Sequence, residues 1–556
     1  MSRRAALVLL AILTLGALLL RGSGIDHLLP EVMNRDGLVV VRQVEHFRAG
    51  GPVPDNAAWW YASYPHLMAR VAAVLPAAAV PHEGARSLEE HLELARAPWI
   101  ELRWISILFS ILAVPGTYLL ARRFLDRGGA LFAAALIATS LHHVCLSIQE
   151  KPHAASASLV LLALIAALRL RRKPDLRSYL LCGATAALSI AMLHSGVVAL
   201  LPIAGAFLLR ERKPPRASAW WILAVLAIAA AAVRAFYPFF FEAIRDPIPE
   251  TMAAAGPDAA GFAGKIAAGL RGAPLGRLLL AIFALDPLLV VLGTAGVALG
   301  CARRRLHRDL AVLLALALPT LIVLALFRGT LVRFFLPLYP LLACAGGYAF
   351  VCARDQLSPR ASALGPALAA ALVAIPLTPA FHFARIRREP GPLREASRWV
   401  VEHVDPGETI VVVPNVDLAL PTTPDAISLN ALQPWRTIWT EYLADVHSED
   451  LEGVRWPILI EPGRRPESRR EFGSDPLGYL RRYRARWLVL DISGGGEQLL
   501  DRRAERVARF SPAREDRPGE RGVMLFGMGI DPFAPSALRI LGMKSLGTAV
   551  EIFEIP

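Results

Sequence analysis

Two short polar stretches in an otherwise apolar chain hold the residues that could do chemistry. The first is "QEKPH", with Glu150, Lys151 and His153, between two apolar runs; the second is "NRDG", with Asp36, just after the first apolar run. Ionisable side chains at membrane depth are costly and usually mark a pathway or a site. A carboxylate can act as a general base, and a cation can stabilise a charged leaving group. These stretches are therefore the candidate site.

Each candidate also has a simpler structural interpretation. "QEKPH" could be an external turn with ordinary solvated charges, in which Pro152 separates two helices. Asp36 could be the N-cap of the amphipathic run that follows it. Arg333, at the start of "RFFLPLYP", could extend to lipid headgroups or bind a lipid phosphate through its planar fork. The sequence leaves these alternatives open.

The histidines around Glu150 do not favour a zinc site. His142, His143, Glu150 and His153 are close in sequence, but their spacing is not HExxH and only some would share a helix face. The later "DISGGGEQ" lacks the glycine spacing of nucleotide-binding loops. Neither metal nor nucleotide chemistry is predicted from these motifs.

The composition is that of a membrane protein. The 556 residues are 55% hydrophobic and only 19% charged, with a mean hydropathy of +0.44. The net charge is +13, but the basic residues concentrate in short loops between apolar runs, which favours a membrane protein over a nucleic-acid partner. All five cysteines lie in or beside apolar runs, so no disulfide framework is predicted.

The apolar runs predict about eleven membrane spans, the first of them an uncleaved N-terminal span. They cover roughly 5–20, 99–120, 129–148, 153–169, 178–194, 196–209, 217–235, 276–300, 309–327, 333–352 and 361–382. Arg-rich loops occupy every second connection, which predicts that they share the cytoplasmic face. An odd number of spans then places the C-terminal tail outside.

The chain divides into two predicted domains. Residues 1–385 form the membrane domain, with long outer loops at 21–98 and 236–275, and residues 386–556 form a soluble α/β domain. Within the tail, "PLREASRWVVEHV" has helical periodicity, while "ETIVVVP", "ARWLVLDIS", "GVMLFGM" and "TAVEIFEI" are typical of strands. The predicted fold is thus a polytopic α-helical membrane protein with an external α/β domain.

The motifs, in this order, resemble those of the GT-C superfamily of membrane glycosyltransferases. The resemblance is to bacterial glycosyltransferase family 39, the relatives of dolichyl-phosphate-mannose protein mannosyltransferases and lipid A aminoarabinose transferases. "NRDG" and "ASYPHL" are similar to the family's acidic and "NYPPL" motifs, and "SIQEKPHAAS" to "S.E.KPYAL". "VRFFLPLYPLLACAGG" is similar to "RYLLPLLPLLALLAG". Two departures are Gly37, where the family commonly has Glu after the Asp, and Leu193-His194 in place of the Lys-Tyr of "TKYSG".

The resemblance implies inverting transfer of a hexosyl or pentosyl group from a polyprenyl-phosphate donor at the outer face of the cytoplasmic (inner) membrane. It implies that Asp36 is the base, that Glu150 orients the acceptor or a divalent metal, and that Arg333 and Lys151 bind the donor phosphate. The remaining candidates, which would line the acceptor cavity, are Tyr64, His66, His153 and His194. The acceptor would be a protein, a lipid or a glycan.

A rival hypothesis is a non-catalytic membrane protein, either a transporter or flippase of lipid-linked sugars or a degenerate transferase that acts as a scaffold. Transporters commonly show paired half-repeats and interrupted spans. The sequence has no such repeat, which favours the transferase.

Overall fold

The fold is described from a computed structural model of the chain. The structure describes residues 1–29, 31, 35–50, 65–75, 88–211, 218–237, 274–302, 308–326, 331–356, 364–405, 407–413, 418, 420, 458–460, 474–491, 504–514 and 536–555. Most of the predicted 236–275 loop and much of the 21–98 loop lie outside these residues, as do "GVMLFGM" and most of "DISGGGEQ".

The described part of the chain up to residue 386 is helical. Its helices are α1 (Arg3–Gly22), α2 (Arg35–Arg48), α3 (Leu67–Val74), α4 (Leu88–Ser110), α5 (Ala113–Ala121), α6 (Arg127–Thr139), α7 (Leu141–Ser147), α8 (His153–Arg172), α9 (Leu176–Met192), α10 (Leu200–Leu208), α11 (Ser218–Phe236), α12 (Pro274–Leu285), α13 (Pro287–Ala302), α14 (Arg308–Leu326), α15 (Tyr339–Asp355) and α16 (Gly365–Ile386). Two 3-10 helices, His194–Ala199 and Val332–Leu338, precede α10 and α15.

The apolar helices occupy the positions of the predicted spans. Among the described residues, six helices are long and apolar enough to cross a membrane, and two bent pairs would raise that number to eight. Three shorter apolar helices, Leu176–Met192, His194–Leu208 and Trp220–Phe236, fall on three further predicted spans. Helix α8 lies at the centre of this bundle, because 83% of its most apolar window is buried. The protein is a multi-pass membrane protein.

Two of the predicted spans are broken rather than continuous. Helices α6 and α7 meet at a 54° bend, and α12 and α13 meet at a 118° bend. The buried carboxylate of Asp286 lies at the second break and accepts hydrogen bonds at the first, from Ser140 Oγ at 2.7 Å and the Leu141 amide at 2.8 Å. The Asp286 side chain therefore caps α7, satisfying amides that a break would otherwise leave unpaired inside the protein.

The basic loops gather at one end of the bundle. Arg127 donates to the carbonyl of the first residue at 2.9 Å, and Arg354 binds Asp126 at 2.8 Å. At the same end, Arg171 is fully buried and donates to Asp309 at 2.6 Å. The N-terminus and four of the connections predicted to be cytoplasmic thus contribute to ion pairs or hydrogen bonds between the ends of different helices.

The opposite end joins the segment after α1 to the segment after α16. Arg394 binds Glu31 at 2.9 Å, and Arg388 donates to Ser23 Oγ at 2.8 Å. These contacts bring the chain that follows the first helix and the chain that enters the C-terminal sheet to the same end of the bundle. The predicted orientation requires that they lie on one face of the membrane.

Reporter fusions test this orientation. We expect a fusion after residue 400 and a fusion after residue 214 to lie in opposite compartments, because the Arg-rich connections remain on the cytoplasmic face. Alkaline phosphatase, which is active only outside, and green fluorescent protein, which fluoresces inside, should give reciprocal signals at the two positions. Finding both fusion points in the cytoplasm would contradict the orientation.

A mixed five-stranded sheet follows the last apolar helix. Its strands are β1 (Thr409–Val413), β2 (Ile458–Ile460), β3 (Ala485–Asp491), β4 (Glu505–Phe510) and β5 (Val550–Glu554), in the spatial order β2-β1-β3-β5-β4. Strand β1 pairs in parallel with β2 and β3, whereas β5 pairs antiparallel with β3 and β4. The accompanying helices are α17 (Pro392–His403), α18 (Pro476–Arg482) and α19 (Ala537–Leu541). The predicted α/β character of the C-terminal region is confirmed.

Burial explains which strands the sequence could predict. Central strand β3 buries Leu488, Val489 and Leu490 in succession, so it is a continuous apolar run with both faces covered. Edge strand β4, "ERVARF", leaves its first half exposed and has charged residues at three of its six positions. The sequence analysis therefore found β1, β3 and β5 and missed β4 and the three-residue β2.

Candidate active site

The "QEKPH" stretch is buried inside the protein. Helix α7 ends at Ser147, α8 begins at His153, and the turn between them exposes only 2% of Glu150 and 4% of Lys151. The interpretation of this stretch as an external turn with solvated charges is therefore wrong. Ionisable groups buried to this extent need partners, and these partners define the site.

Arg103 is the partner of Glu150. Its Nε donates to Glu150 Oε1 at 2.6 Å, and both side chains are almost fully buried. The Arg103 Nη1 atom also donates to the carbonyls of Ile25 at 2.6 Å and His27 at 2.9 Å. One guanidinium thus joins α4, the α7–α8 turn and the segment after α1, and it neutralises the carboxylate.

His27 lies beside this ion pair, and its ring stays neutral. Burial, followed by the positive charges of Arg103 and Arg387, holds the pKa of His27 well below its usual value. The ring Nδ1 contacts the Gly24 carbonyl at 2.9 Å. A neutral imidazole adds no further positive charge next to Arg103.

The start of helix α2 packs directly onto Glu150. A Cβ atom at Gly37 would lie 3.1 Å from Glu150 Cβ and 3.2 Å from Trp99 Nε1. Helix α2 begins at Arg35, so Asp36 belongs to its first turn instead of preceding it. The side chain of Asp36 lies outside the described residues, but its neighbour Gly37 places this turn against Glu150. The glycine at this position thus has a packing reason, since a glutamate would meet both neighbours.

Two cationic residues, Arg333 and Lys151, and the imidazole of His194 lie near His153. The His153 ring lies 6.0 Å from that of Phe334, the residue after Arg333. The 3-10 helix that contains Arg333 packs against the start of α8. The structure therefore brings together four of the candidates, from three separate sequence motifs.

Buried polar atoms in this region lack partners among the described residues. They include Arg333 Nε, His153 Nδ1 and the indole nitrogen of Trp99, which is itself fully buried. Buried donors are normally satisfied, so each such atom needs an explanation. A ligand with several polar oxygens could satisfy such atoms.

The remaining candidates for the acceptor cavity, His66, His194 and Tyr64, are not all close to His153. His66 is buried, and its ring lies 5.5 Å from that of Phe47 in α2. The His194 ring stacks on that of Tyr237 at 6.1 Å, and the His194 side chain is exposed. Tyr64 lies outside the described residues. His66 therefore belongs to the packing of α2 and α3, whereas His194 reaches the group around His153.

The histidines before Glu150 have structural partners. His143 Nδ1 lies 2.9 Å from Arg21, and the His142 ring packs 4.9 Å from that of Tyr339. Among the described residues, no three His, Cys, Asp or Glu side chains are arranged to hold a metal ion.

Two buried charged residues, one of them in the site, were missed from the sequence although each left a signal. Arg103 stands within the apolar run "LRWISILFS", and Asp286 stands within "LLLAIFALDPLLVV". Hydropathy averaged over a window changes little when a single charge stands among apolar residues, so both runs were predicted to be ordinary membrane spans. An ionisable residue at membrane depth is itself a reason to expect a buried partner.

The chain is similar to known membrane glycosyltransferases. Residues 91–237, less than half of the chain, match the family model described as dolichyl-phosphate-mannose-protein mannosyltransferase. That segment includes Arg103, Glu150 and His194. No curated protein matches the chain.

Solved structures with a similar fold cover most of the chain. The apo oligosaccharyltransferase of Archaeoglobus fulgidus has a TM-score of 0.53 and 16% identity, over 92% of this chain and 74% of that one. The same enzyme tethered to an acceptor peptide containing the NVT sequon has a TM-score of 0.50 and 16% identity, over 88% and 70%. ArnT from Cupriavidus metallidurans bound to undecaprenyl phosphate has a TM-score of 0.45 and 14% identity, over 92% and 97%. At these identities the likeness to the oligosaccharyltransferase shows the fold. The chain has a GT-C fold, and the predicted resemblance is confirmed.

Proposed function

We propose that this protein transfers a sugar from a polyprenyl-phosphate donor to an acceptor hydroxyl, with inversion, at the outer face of the cytoplasmic membrane. The observation that carries the proposal is the group of cationic residues around His153, next to the buried Glu150–Arg103 pair. The family match over residues 91–237 supports the same assignment.

Arg333, Lys151 and the nearby histidines would bind the donor phosphate. Glu150 is the acid adjacent to this group in sequence, and Arg103 neutralises it, so it does not cancel the attraction for an anion. Arg333 lies in a 3-10 helix at the start of α15 and is only partly buried, which leaves its fork accessible. As the bond to the sugar breaks, these cations would stabilise the charge that develops on the leaving phosphate.

Asp36 would be the general base. The acceptor hydroxyl must lose a proton as its oxygen attacks the anomeric carbon, and a carboxylate within hydrogen-bond reach can accept that proton. Gly37 lies against Glu150 and Trp99, so the helix turn that carries Asp36 lies beside the ion pair. Glu150, held by Arg103, would orient the acceptor, and the Trp99 indole N–H offers a further donor.

A transporter or flippase of lipid-linked sugars is the second candidate. The two broken helix pairs favour it, because interrupted helices are frequent at transport sites. The breaks here are joined by Asp286, which caps α7 through hydrogen bonds to Ser140 and Leu141 and so stabilises one arrangement.

Transfer and transport can be separated with purified protein. We expect protein in detergent micelles, where no compartments exist, to release polyprenyl phosphate from a labelled polyprenyl-phosphate sugar when an acceptor extract is present. A transporter would release none in micelles but would move the labelled lipid between leaflets in vesicles. Lipid movement without release would contradict the transferase proposal.

Substitutions of Arg333 test the phosphate site. We expect Arg333→Ala to weaken binding of polyprenyl phosphate by about 10- to 100-fold, because it removes charge-assisted hydrogen bonds. The affinity of Arg333→Lys should lie between that of the unchanged protein and that of Arg333→Ala, since lysine keeps the charge but lacks the planar guanidinium. Affinity is measured by titrating the lipid into the purified protein.

Arg385, an exposed arginine in the last turn of α16, provides the matched control. Arg385→Ala removes the same charge near the same end of the bundle and should leave affinity unchanged. If Arg333→Ala also binds the lipid normally, Arg333 is a headgroup anchor and contributes nothing to the site.

A further inference from the structure

A second candidate site lies in the C-terminal region, away from the residues discussed above. A cleft of about 360 Å³ runs between α17 and the end of β4, and we refer to it as the Trp399 cleft. Its volume is at the low end of the range for small-molecule sites. The lining residues are Glu395, Arg398, Trp399, Glu402, Arg509, Phe510, Ser511 and Lys544.

Aromatic surface in the cleft is held rigidly. The Trp399 ring is stacked on that of His403, with centroids 4.6 Å apart and planes 7° apart. It also meets the Trp487 ring edge-on at 5.7 Å. Because two neighbours fix the indole, a ligand that packs on it does not have to order it, which favours binding.

The cleft is lined by charges of both signs. Glu395 and Glu402 lie in the same lining as Arg398 and Lys544. Arg509 donates to the buried Glu551 at 2.7 Å, and Glu551 also accepts from Arg506 at 2.8 Å. Carboxylates accept hydrogen bonds and guanidinium and ammonium groups donate them, so the cleft offers both functions to one ligand.

We propose that the Trp399 cleft binds a neutral carbohydrate. Sugar hydroxyls both donate and accept hydrogen bonds, and the C–H faces of a pyranose ring pack on indole and phenyl surfaces such as Trp399 and Phe510. A phosphate would meet the carboxylates of Glu395 and Glu402 as like charges, whereas a sugar hydroxyl can donate to them. This site lies outside the proposed transfer site and does not depend on it.

The cleft lies close to the end of the bundle where the segment after α1 meets the segment after α16. Lys544 follows Met543, whose carbonyl lies 2.9 Å from His382 Nε2 in α16. Glu395 follows Arg394, which binds Glu31 in the segment after α1. A glycan held in the cleft would therefore be kept near the end of the bundle where the C-terminal region meets the first helix.

Saturation-transfer difference NMR on the full-length protein tests the proposal. The protein is placed in phosphatidylcholine nanodiscs, without sugar-based detergents, and titrated with maltose, lactose and cellobiose. We expect saturation transfer to at least one disaccharide, with a dissociation constant on the order of 1 mM. Trp399→Ala should weaken that binding at least fivefold, and Glu402→Gln by about 3- to 10-fold.

Controls separate this site from the others. Val401→Ala changes an exposed residue of the same helix that does not line the cleft, and Arg333→Ala changes the proposed phosphate site; both should bind the sugar normally. Glu402 is exposed, so its variant keeps the test valid if Trp399→Ala unfolds.

Three outcomes would overturn the proposal: no saturation transfer to any of the disaccharides, unchanged binding in Glu402→Gln and folded Trp399→Ala, or displacement of the sugar by glycerol 3-phosphate. The last would identify a lipid-headgroup site. A failure of sugar transfer by the enzyme would leave this binding result unaffected.

Discussion

Replacing Asp36 by asparagine should lower the rate of sugar transfer by about 10²–10⁴-fold, the usual cost of losing a general base. The variant should stay folded, because asparagine keeps the size and most of the hydrogen-bonding capacity of aspartate in the first turn of a helix. Only the ability to take the proton is lost. Turnover of a polyprenyl-phosphate sugar per folded molecule is the measurement, with thermal unfolding recorded on the same sample.

Asp26 is the matched control for Asp36. It lies in the same segment after α1, is 45% exposed and binds Arg96 at 2.5 Å. Asp26→Asn removes a carboxylate from the same region and should leave turnover close to that of the unchanged protein. A general effect of lost negative charge would slow both variants.

A different result would assign Asp36 a structural role. An Asp36→Asn protein that is unstable but fully active per folded molecule would show that the carboxylate only stabilises the start of α2. The base would then have to be another carboxylate. Glu150 would be tested next, although its Oε1 atom is already engaged by Arg103.

Removing Arg103 should have the largest effect on stability. Arg103→Met leaves the buried Glu150 carboxylate without its partner, and breaking a buried pair in this way typically costs about 3–5 kcal/mol of unfolding free energy. Glu150→Gln should cost less, about 1–2 kcal/mol, because Arg103 keeps the carbonyls of Ile25 and His27 as acceptors. Denaturant titration in detergent micelles, followed by tryptophan fluorescence, measures both.

The double variant and a half-buried pair complete this test. Arg103→Met combined with Glu150→Gln should be more stable than Arg103→Met alone, since the uncompensated charge is gone. Arg48 Nη2 contacts both carboxylate oxygens of Glu101, and the two side chains are 22% and 19% exposed, so Arg48→Met should cost only about 1 kcal/mol. Equal losses of unfolding free energy in Arg48→Met and Arg103→Met would show that the buried pair stabilises the protein no more than the half-buried pair does.

Local pattern determined most of the fold. Apolar runs of bilayer length became helices at the predicted positions, since a helix satisfies its own backbone wherever it is buried. The basic loops came to one end because connections alternate between the two ends of a bundle. Strands β1 and β3 were evident because buried parallel strands are continuous apolar runs, and β5 because β-branched and aromatic residues favour strands. The order of the polar motifs was sufficient to indicate the GT-C fold.

The sequence alone also identified part of the candidate site. Glu150, Lys151, His153 and Arg333 were selected because charge at membrane depth is costly unless it has a use. The structure groups the cations around His153, as expected if the motifs share one site. The role of each residue stays a prediction until the variants above are assayed.

Only the tertiary structure decided which charges are paired. Arg103 meets Glu150 across 47 residues of sequence, and Ser140 meets Asp286 across 146. Such contacts depend on how helices pack, which no local period encodes. From the sequence, Gly37 was a departure from the glutamate that the family commonly has at this position. In the structure, a side chain at Gly37 would meet Glu150 and Trp99. Whether a polar residue in an apolar run breaks a helix, pairs with a distant charge or faces a ligand is fixed by its neighbours in space, because burial makes an unsatisfied charge too costly to keep.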